Sequence, residues 1–453
     1  MNGKEWITAL NSVQAEKLFT SLYGAGEIEK ERNRYAKLIE EFLREDIFPK
    51  KDFPETKNEV RIFTASGRTE LGGNHTDHNF GKVLAASVQL DALAVVAPRQ
   101  DNKILFRSTG FPDVLVDITD TSIKENEKGT TEALIRGVAN GFIDRNISIH
   151  GWTANASSTV LTGSGLSSSA ALEILVGKIF DGLYNNNSLS AITLAKIAQK
   201  AENLYYGKPS GLMDQVASAL GGAAFIDFAE NEPKVNQVRF DPECVGYVLC
   251  VVNTGGSHAD LTQDYGSIPE EMRSLSAFFS ASNLRSTGEE IFMKTFTDSN
   301  QIQSLRKQCG DRAILRSIHF FNENKRVDKM CETLEKLNSL LPHSTEEITD
   351  TFNTFLKLVD ESGNSSWELL QNISPPHNPK EQGLALGLSL TRLFAGEKNI
   401  ACRVHGGGFA GTIQAYIPKE LFAEYKTFME TVFGFGTVTK LKIRSIGTSE
   451  IVF

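Results

Sequence analysis

The chain has little that would suit it to nucleic acid, to a membrane or to an oxidising compartment. Across 453 residues the acidic side chains outnumber the basic ones, 56 to 47, for a formal net charge of −9, whereas phosphate-backbone binding normally leaves a basic stripe. Anionic ligands must therefore be met locally. The five cysteines (Cys244, Cys250, Cys309, Cys331, Cys402) are scattered, with no Cys-x-x-Cys pair, which argues against a disulfide framework and against a zinc site. No apolar run reaches membrane-spanning length, and Met1–Leu10 has no secretory apolar core, so the cytoplasm is the expected location. Two nucleotide signatures are missing as well: no Gly-Lys-Ser/Thr of a P-loop, and no dinucleotide fingerprint.

What the chain does have is Gly163-Ser164-Gly165-Leu166-Ser167-Ser168-Ser169-Ala170-Ala171, running into Leu172, Leu175 and Ile179 at helical spacing. Glycines let backbone N–H groups approach an anion, serine hydroxyls add donors, and a helix N-terminus adds partial positive charge; together these make a phosphate cradle. The same residues would also serve as a Ser-rich turn that caps a core helix. A second dense run, Ser66 to Asn79, holds one arginine, two histidines, two carboxylates and three glycines, an odd composition for a plain connecting turn. His75 and His78 within it lack the helical spacing that sets two imidazoles on one face, so no metal is expected there.

Periodicity predicts helix from about Ala15 to Phe48, closed by Pro49 and Pro54, and then a short strand from Val60 to Ala65. Val83–Pro98 reads as one or two buried strands beneath the polar run. Strands are expected at Ile104–Phe106, Val114–Ile118 and Ile147–Thr153, and a helix at Glu132–Phe142. Ser190 should cap a helix whose apolar stripe is Leu194, Ile197, Ala198, Ala201, Leu204 and Tyr205. Taken alone, Glu202 at its edge reads as a surface glutamate and Asp214 as a helix-capping aspartate. Strands at Phe225–Phe228 and Tyr247–Val252 flank the polar stretch Glu230–Glu243, the expected boundary between domains at 1–240 and 241–453. Charged helices should fill Glu270–Asn338, with amphipathic ones at Thr345–Asp360 and Gly383–Phe394. Arg403 to Gly411, with four glycines in its last six residues, precedes a strand at Thr412–Ile417.

Four motifs occur in one order: Gly67-Arg68 with Gly72-Gly73-Asn74-His75-Thr76-Asp77 and Asn79, then Gly163–Ala171, then Gly211-Leu212-Met213-Asp214-Gln215, then Gly406-Gly407-Gly408-Phe409-Ala410-Gly411. In order and rough spacing the chain resembles galactokinases, of the superfamily of galactose, homoserine, mevalonate and phosphomevalonate kinases, from about Arg61 to the C-terminus. The resemblance implies an α+β, two-domain small-molecule kinase fold. Its N-terminal domain would be like the second domain of ribosomal protein S5, its C-terminal domain a split β-α-β (ferredoxin-like) sheet, and the active site would lie between them. It implies an ATP-dependent sugar 1-kinase that uses Mg²⁺, with a sugar and ATP as its small-molecule partners and neither nucleic acid nor membrane.

By the same resemblance Gly163, Ser164, Gly165, Leu166, Ser167, Ser168 and Ser169 would wrap the ATP phosphates, and Ser169 and Glu202 would bind Mg²⁺. Asp214 would take the proton from the anomeric hydroxyl while Arg68 steadies it. Asn74, His75, Asp77, Gly211 and Tyr265 would line the sugar pocket. The chain departs from the family pattern at Ser66 for Pro, Thr69-Glu70 for Val-Asn, Gly72 for Ile, Asn74 for Glu and His78 for Tyr, and it lacks the Asn-x-Arg-Arg that follows Tyr265. These departures cluster around the sugar rather than the phosphates. Asn74 replaces a glutamate that accepts from the sugar's C6 hydroxyl, which implies tolerance of C6-modified sugars such as galacturonate. A catalytically weak sugar and ATP sensor is the other reading; the presence of Ser169, Glu202 and Asp214 favours the enzyme.

Overall fold

The computed structural model describes residues 1, 3–44, 60–160, 165–230, 232–256, 261–340 and 345–453. Its larger sheet is built on one long strand. β1 (Arg61–Gly72) and β2 (Lys82–Pro98) pair antiparallel along most of their length. Beyond β2 the sheet divides: its second half, Ala92–Pro98, pairs with β5 (Trp152–Ser158), and its first half, Lys82–Ala86, with β6 (Ala223–Asp227). β3 (Lys103–Ser108) joins β5 in parallel, β4 (Val114–Asp117) closes that edge, and β7 (Lys234–Val238) forms a hairpin with β6.

Both faces of β2 are covered. Leu93, Val95 and Ala97 pack with Phe19, Tyr35, Leu38 and Phe42 of the N-terminal helices, while Ala94 and Val96 alternate to the other face, among Ile174 and Phe180. The helix expected from about Ala15 is two helices rather than one, and a short helix, Gly3–Ala9, precedes them. Ser12 caps Val13–Tyr23 by accepting from the Ala15 N–H, Gly24 at φ +93° ends it, and Ile28–Leu43 follows. The expected continuation to residue 48, with Pro49 and Pro54, lies outside the described residues.

The second sheet holds β8 (Tyr247–Asn253), β9 (Ala401–His405), β10 (Thr412–Pro418) and β11 (Val438–Leu441) in the spatial order β11-β8-β10-β9, all antiparallel. Helices connect β8 to β9, and Phe422–Phe433 connects β10 to β11, so two β-α-β halves interleave as a split β-α-β sheet. Two long helices, Asp311–Leu340 and Thr345–Ser365, pack on each other and reach both sheets, the first touching β2 and the second β9. The chain then returns at β12 (Ser449–Glu450) to pair with β1 of the first sheet.

Three local expectations are corrected. β5 starts at Trp152, not Ile147, because Asn146 turns at φ +59° and the Ile147 N–H still bonds the preceding helix at Phe142. The polar stretch Glu230–Glu243 contains β7, whose Asn236 and Gln237 are exposed; backbone pairing with β6 and the buried Val238 hold it, too little apolar pattern to mark a strand in the sequence. The polar run does not begin as a loop either, since Ser66–Gly72 continues β1 and is buried throughout.

Candidate active site

Pairing between β1 and β2 slips between Ser66 and Arg68. At Gly67, which lies in that slip, a Cβ would come within 3.2 Å of the Leu166 carbonyl. Such a bulge re-aims the next side chain. The Arg68 N–H bonds the Leu166 carbonyl at 3.1 Å, and the guanidinium reaches Asp214 in a two-pronged pair, Nε to Oδ1 at 2.7 Å and Nη2 to Oδ2 at 2.6 Å. Arg68 also donates through Nη1 to the Gly165 carbonyl.

Asp214 stands in the first turn of the helix Met213–Leu220, but it does not cap it: the N-cap position is Leu212, and the carboxylate is turned to Arg68 and to Ser167, whose hydroxyl donates to Oδ2 at 2.7 Å. Burial would push this carboxyl up; the Arg68 guanidinium and the Ser167 hydroxyl outweigh it and hold it below the usual carboxylate value of 3.8. Asp214 is therefore ionised at neutral pH. Ser167 is held at φ +57°, an uncommon conformation for a serine, immediately before the helix Ser168–Asn185. Gly163 and Ser164 lie outside the described residues.

Glu202 is not the surface residue its position suggested. The helix begun at Ala191 and capped by Ser190 tightens no further at Lys200 but widens into a π-turn over Ala201–Tyr206. Each extra residue per turn shifts the phase of the helix. That shift buries Glu202 to 2% exposure and turns Leu204, expected in the apolar stripe, out to 50%. Glu202 Oε1 accepts from the Ser169 hydroxyl at 3.0 Å and from Lys208 Nζ at 2.9 Å, and Oε2 accepts from Gln215 at 2.9 Å.

A hydroxyl and a buried carboxylate meeting at a helix N-terminus are hard oxygen donors of the kind magnesium takes, since that ion uses one or two protein oxygens and leaves the rest to water and phosphate. The donor set fits. Among the described residues no group of three or more His, Cys, Asp or Glu is placed to hold a metal alone.

The remaining candidates gather where the glycine loop after β9 meets the polar run. His75, at φ +56°, contacts the Gly407 carbonyl through Nε2 at 2.9 Å, and burial together with the His78 ring pushes it down to about 3, so the ring is neutral. Tyr265 donates to the Gly408 carbonyl at 3.0 Å, and a Cβ at Gly407 would overlap its ring. At Gly211 a Cβ would overlap the Asp77 carboxylate, so only glycine admits Asp77 beside the Asp214 turn. A Cβ at Gly406 would come within 3.3 Å of the Gly165 backbone, so the fourth motif lies close against the second.

Asn74 departs from expectation. It is 1% exposed: its amide nitrogen donates to both Glu70 oxygens at 3.2 Å and to the Gly406 carbonyl at 2.9 Å, and its oxygen accepts from Asn372 at 2.8 Å and Ser366 at 3.3 Å. No donor or acceptor is left for a sugar, which removes the ground for C6 tolerance argued from this residue. Glu70 is paired in turn with the buried Arg403. The resemblance assigned no role to Glu70, Lys208, Gln215, Asn372 or Arg403, although Glu70 and Gln215 lie inside motifs and Arg403 heads the run to Gly411; Asn372 follows a second π-turn, Ser366–Leu370, that leaves no mark in the sequence.

Residues 133–222 match the family model for the GHMP kinase N-terminal domain, and residues 50–98 match the galactokinase galactose-binding signature. Curated galactokinases of Clostridium tetani and Lactobacillus helveticus are 29% and 26% identical, over 83% and 84% of this chain and 89% and 92% of their own. The chain is galactokinase-like and carries a GHMP kinase N-terminal domain. Its fold superposes on that of Lactococcus lactis galactokinase complexed with galactose at a TM-score of 0.70, with 21% identity over 97% of this chain and 99% of that one. A mevalonate kinase structure gives 0.55 at 16% identity, over 84% of this kinase and 98% of its own chain.

Proposed function

We propose that this kinase transfers the γ-phosphate of ATP to the anomeric hydroxyl of galactose. The observation that carries the reading is the two-pronged Arg68–Asp214 pair set against Ser167 at the mouth of the helix Ser168–Asn185. Phosphoryl transfer needs positioning and charge neutralisation more than covalent chemistry. In this reading the ionised Asp214 orients the hydroxyl and accepts its proton, Arg68 offsets the charge that develops, and the helix N-terminus and serine hydroxyls receive the phosphates. Mg²⁺, held by Ser169 and Glu202, would neutralise phosphate oxygens when bound. In this reading Asp77, which lies against Gly211, accepts from two ring hydroxyls, and the neutral His75 and Tyr265 line the same pocket. The same relation to galactokinases supports galactose over a C6-modified sugar, now that Asn74 is seen to be spent on protein contacts.

Incubation of the full chain with ATP, Mg²⁺ and a panel of monosaccharides, following ADP release, tests this. Galactose should give the highest kcat/KM; release no faster with any sugar than without would leave a binding protein only. Two variants probe its parts. Gly211→Ala should leave the melting temperature nearly unchanged, because the Asp77 carboxylate can swing aside, yet raise the KM for sugar about tenfold or more for the lost charged hydrogen bond; an unchanged KM removes Asp77 from the pocket. Glu202→Gln should raise the Mg²⁺ concentration needed for half-maximal rate, a neutral amide being a poorer ligand for a hard cation. A Mg²⁺ titration that overlays the wild type would return Glu202 to a structural role.

A further inference from the structure

Lys208 lies six residues beyond Glu202, on the segment between the π-turn and the helix that carries Asp214. Its root is fixed: the N–H groups of Gly207 and Lys208 both bond the Glu202 carbonyl, at 3.0 and 3.1 Å. The side chain then folds back on the same residue, placing Nζ 2.9 Å from Oε1. That is the oxygen which also takes the Ser169 hydroxyl, whereas Oε2 is committed to Gln215. The ammonium thus sits at the one carboxylate oxygen that faces the other metal donor.

Mobility is divided unequally between the partners. The Glu202 side chain is 3% exposed and locked by three donors, while that of Lys208 is 54% exposed on a flexible four-carbon stem. Without the lysine, Glu202 and Asp214 would leave two carboxylates close to the buried Glu173 with only Arg68 to balance them. Glu173 itself is pushed well up by burial and by the Glu202 carboxylate. A lysine ammonium and a divalent cation at the same oxygen repel each other, so binding of either opposes the other there.

We propose that Lys208 is the cation which holds Glu202 in the metal-free kinase, yields Oε1 to Mg²⁺ when the nucleotide arrives, and then lies against the nucleotide's phosphates. This rests on the reading of Ser169 and Glu202 as the metal donors. The consequence is coupling: free metal binds poorly because it must displace the lysine, and nucleotide supplies the negative charge that draws the lysine away, so each ligand strengthens the other.

The test uses the full chain, Mn²⁺ as an EPR-visible probe, and Lys208→Met, which keeps the stem and removes the charge. Without nucleotide, Lys208→Met should bind Mn²⁺ about fivefold tighter or more, the scale of a lost ion pair, and Mn²⁺ should raise its melting temperature more than that of the wild type. With ATP in excess EDTA, the variant should bind nucleotide correspondingly more weakly by calorimetry. Equal or weaker Mn²⁺ affinity in Lys208→Met overturns the proposal. Glu202→Gln in both backgrounds separates the two inferences. If it abolishes Mn²⁺ binding while Lys208→Met leaves that binding unchanged, only the lysine's role falls. If Mn²⁺ binding survives Glu202→Gln, the metal site lies elsewhere and the lysine proposal falls with it.

Discussion

Replacing Asp214 by asparagine is expected to lower kcat by at least about 100-fold, the usual loss for a positioned base, with the affinity for MgATP essentially unchanged. The variant keeps the shape of the carboxylate but not its charge, and it keeps one oxygen where two now receive Arg68 at 2.7 and 2.6 Å. The guanidinium, 6% exposed, would then face a neutral amide, so the sugar hydroxyl would lose its acceptor and Arg68 its fixed orientation together. Steady-state rates and calorimetric titration with a non-hydrolysable nucleotide check this. Turnover near that of the wild type would remove Asp214 from the chemistry.

The pH dependence follows from the same pair. The carboxyl of Asp214 titrates below its unfolded value of 3.8, so the pair's contribution to stability is complete above that value and is lost only as the pH falls through the still lower folded value. Asp214 should therefore give no acidic limb near pH 6 in a kcat profile. A limb there that disappears in Asp214→Asn would contradict the ionised state described above.

Asn74→Glu is expected to cost at least about 3 kcal/mol of stability, the range for an uncompensated buried charge. Galactokinases carry asparagine and glutamate at the positions where this chain has Glu70 and Asn74; the two side chains are exchanged here, and they bond each other. A glutamate at 74 would bring a second carboxylate against Glu70 at a distance now bridged by an amide donor at 3.2 Å, and would leave the Gly406 carbonyl without its partner. Arg403 alone cannot balance both. The double variant Glu70→Asn, Asn74→Glu restores one acid and one amide to the pair and should recover much of the loss, a coupling that a double-mutant cycle of denaturant unfolding measures directly. If Asn74→Glu unfolds at the wild-type denaturant concentration, the network is not holding the two sheets as drawn.

The sequence alone was enough for the motifs and for most elements, because glycines at tight approaches, caps such as Ser12 and Ser190, and apolar alternation along β2 are written in single residues or in short periods. The relation to galactokinases, and with it the grouping of Arg68, Asp214, Ser169 and Glu202, was legible in the same way. Tertiary structure decided what depends on phase and on distant partners. A π-turn changes the face a residue presents without changing the residue, so Glu202 and Leu204 exchanged places relative to a regular helix. β7 pairs through its backbone and fully buries only Val238, too little to show as a strand pattern. Asn74 looked free to meet a sugar until Glu70, Ser366, Asn372 and Gly406, up to 332 residues away in the chain, were seen to consume every polar atom it has. A hydrogen bond is made in space, and for side chains that far apart no spacing in the sequence records it.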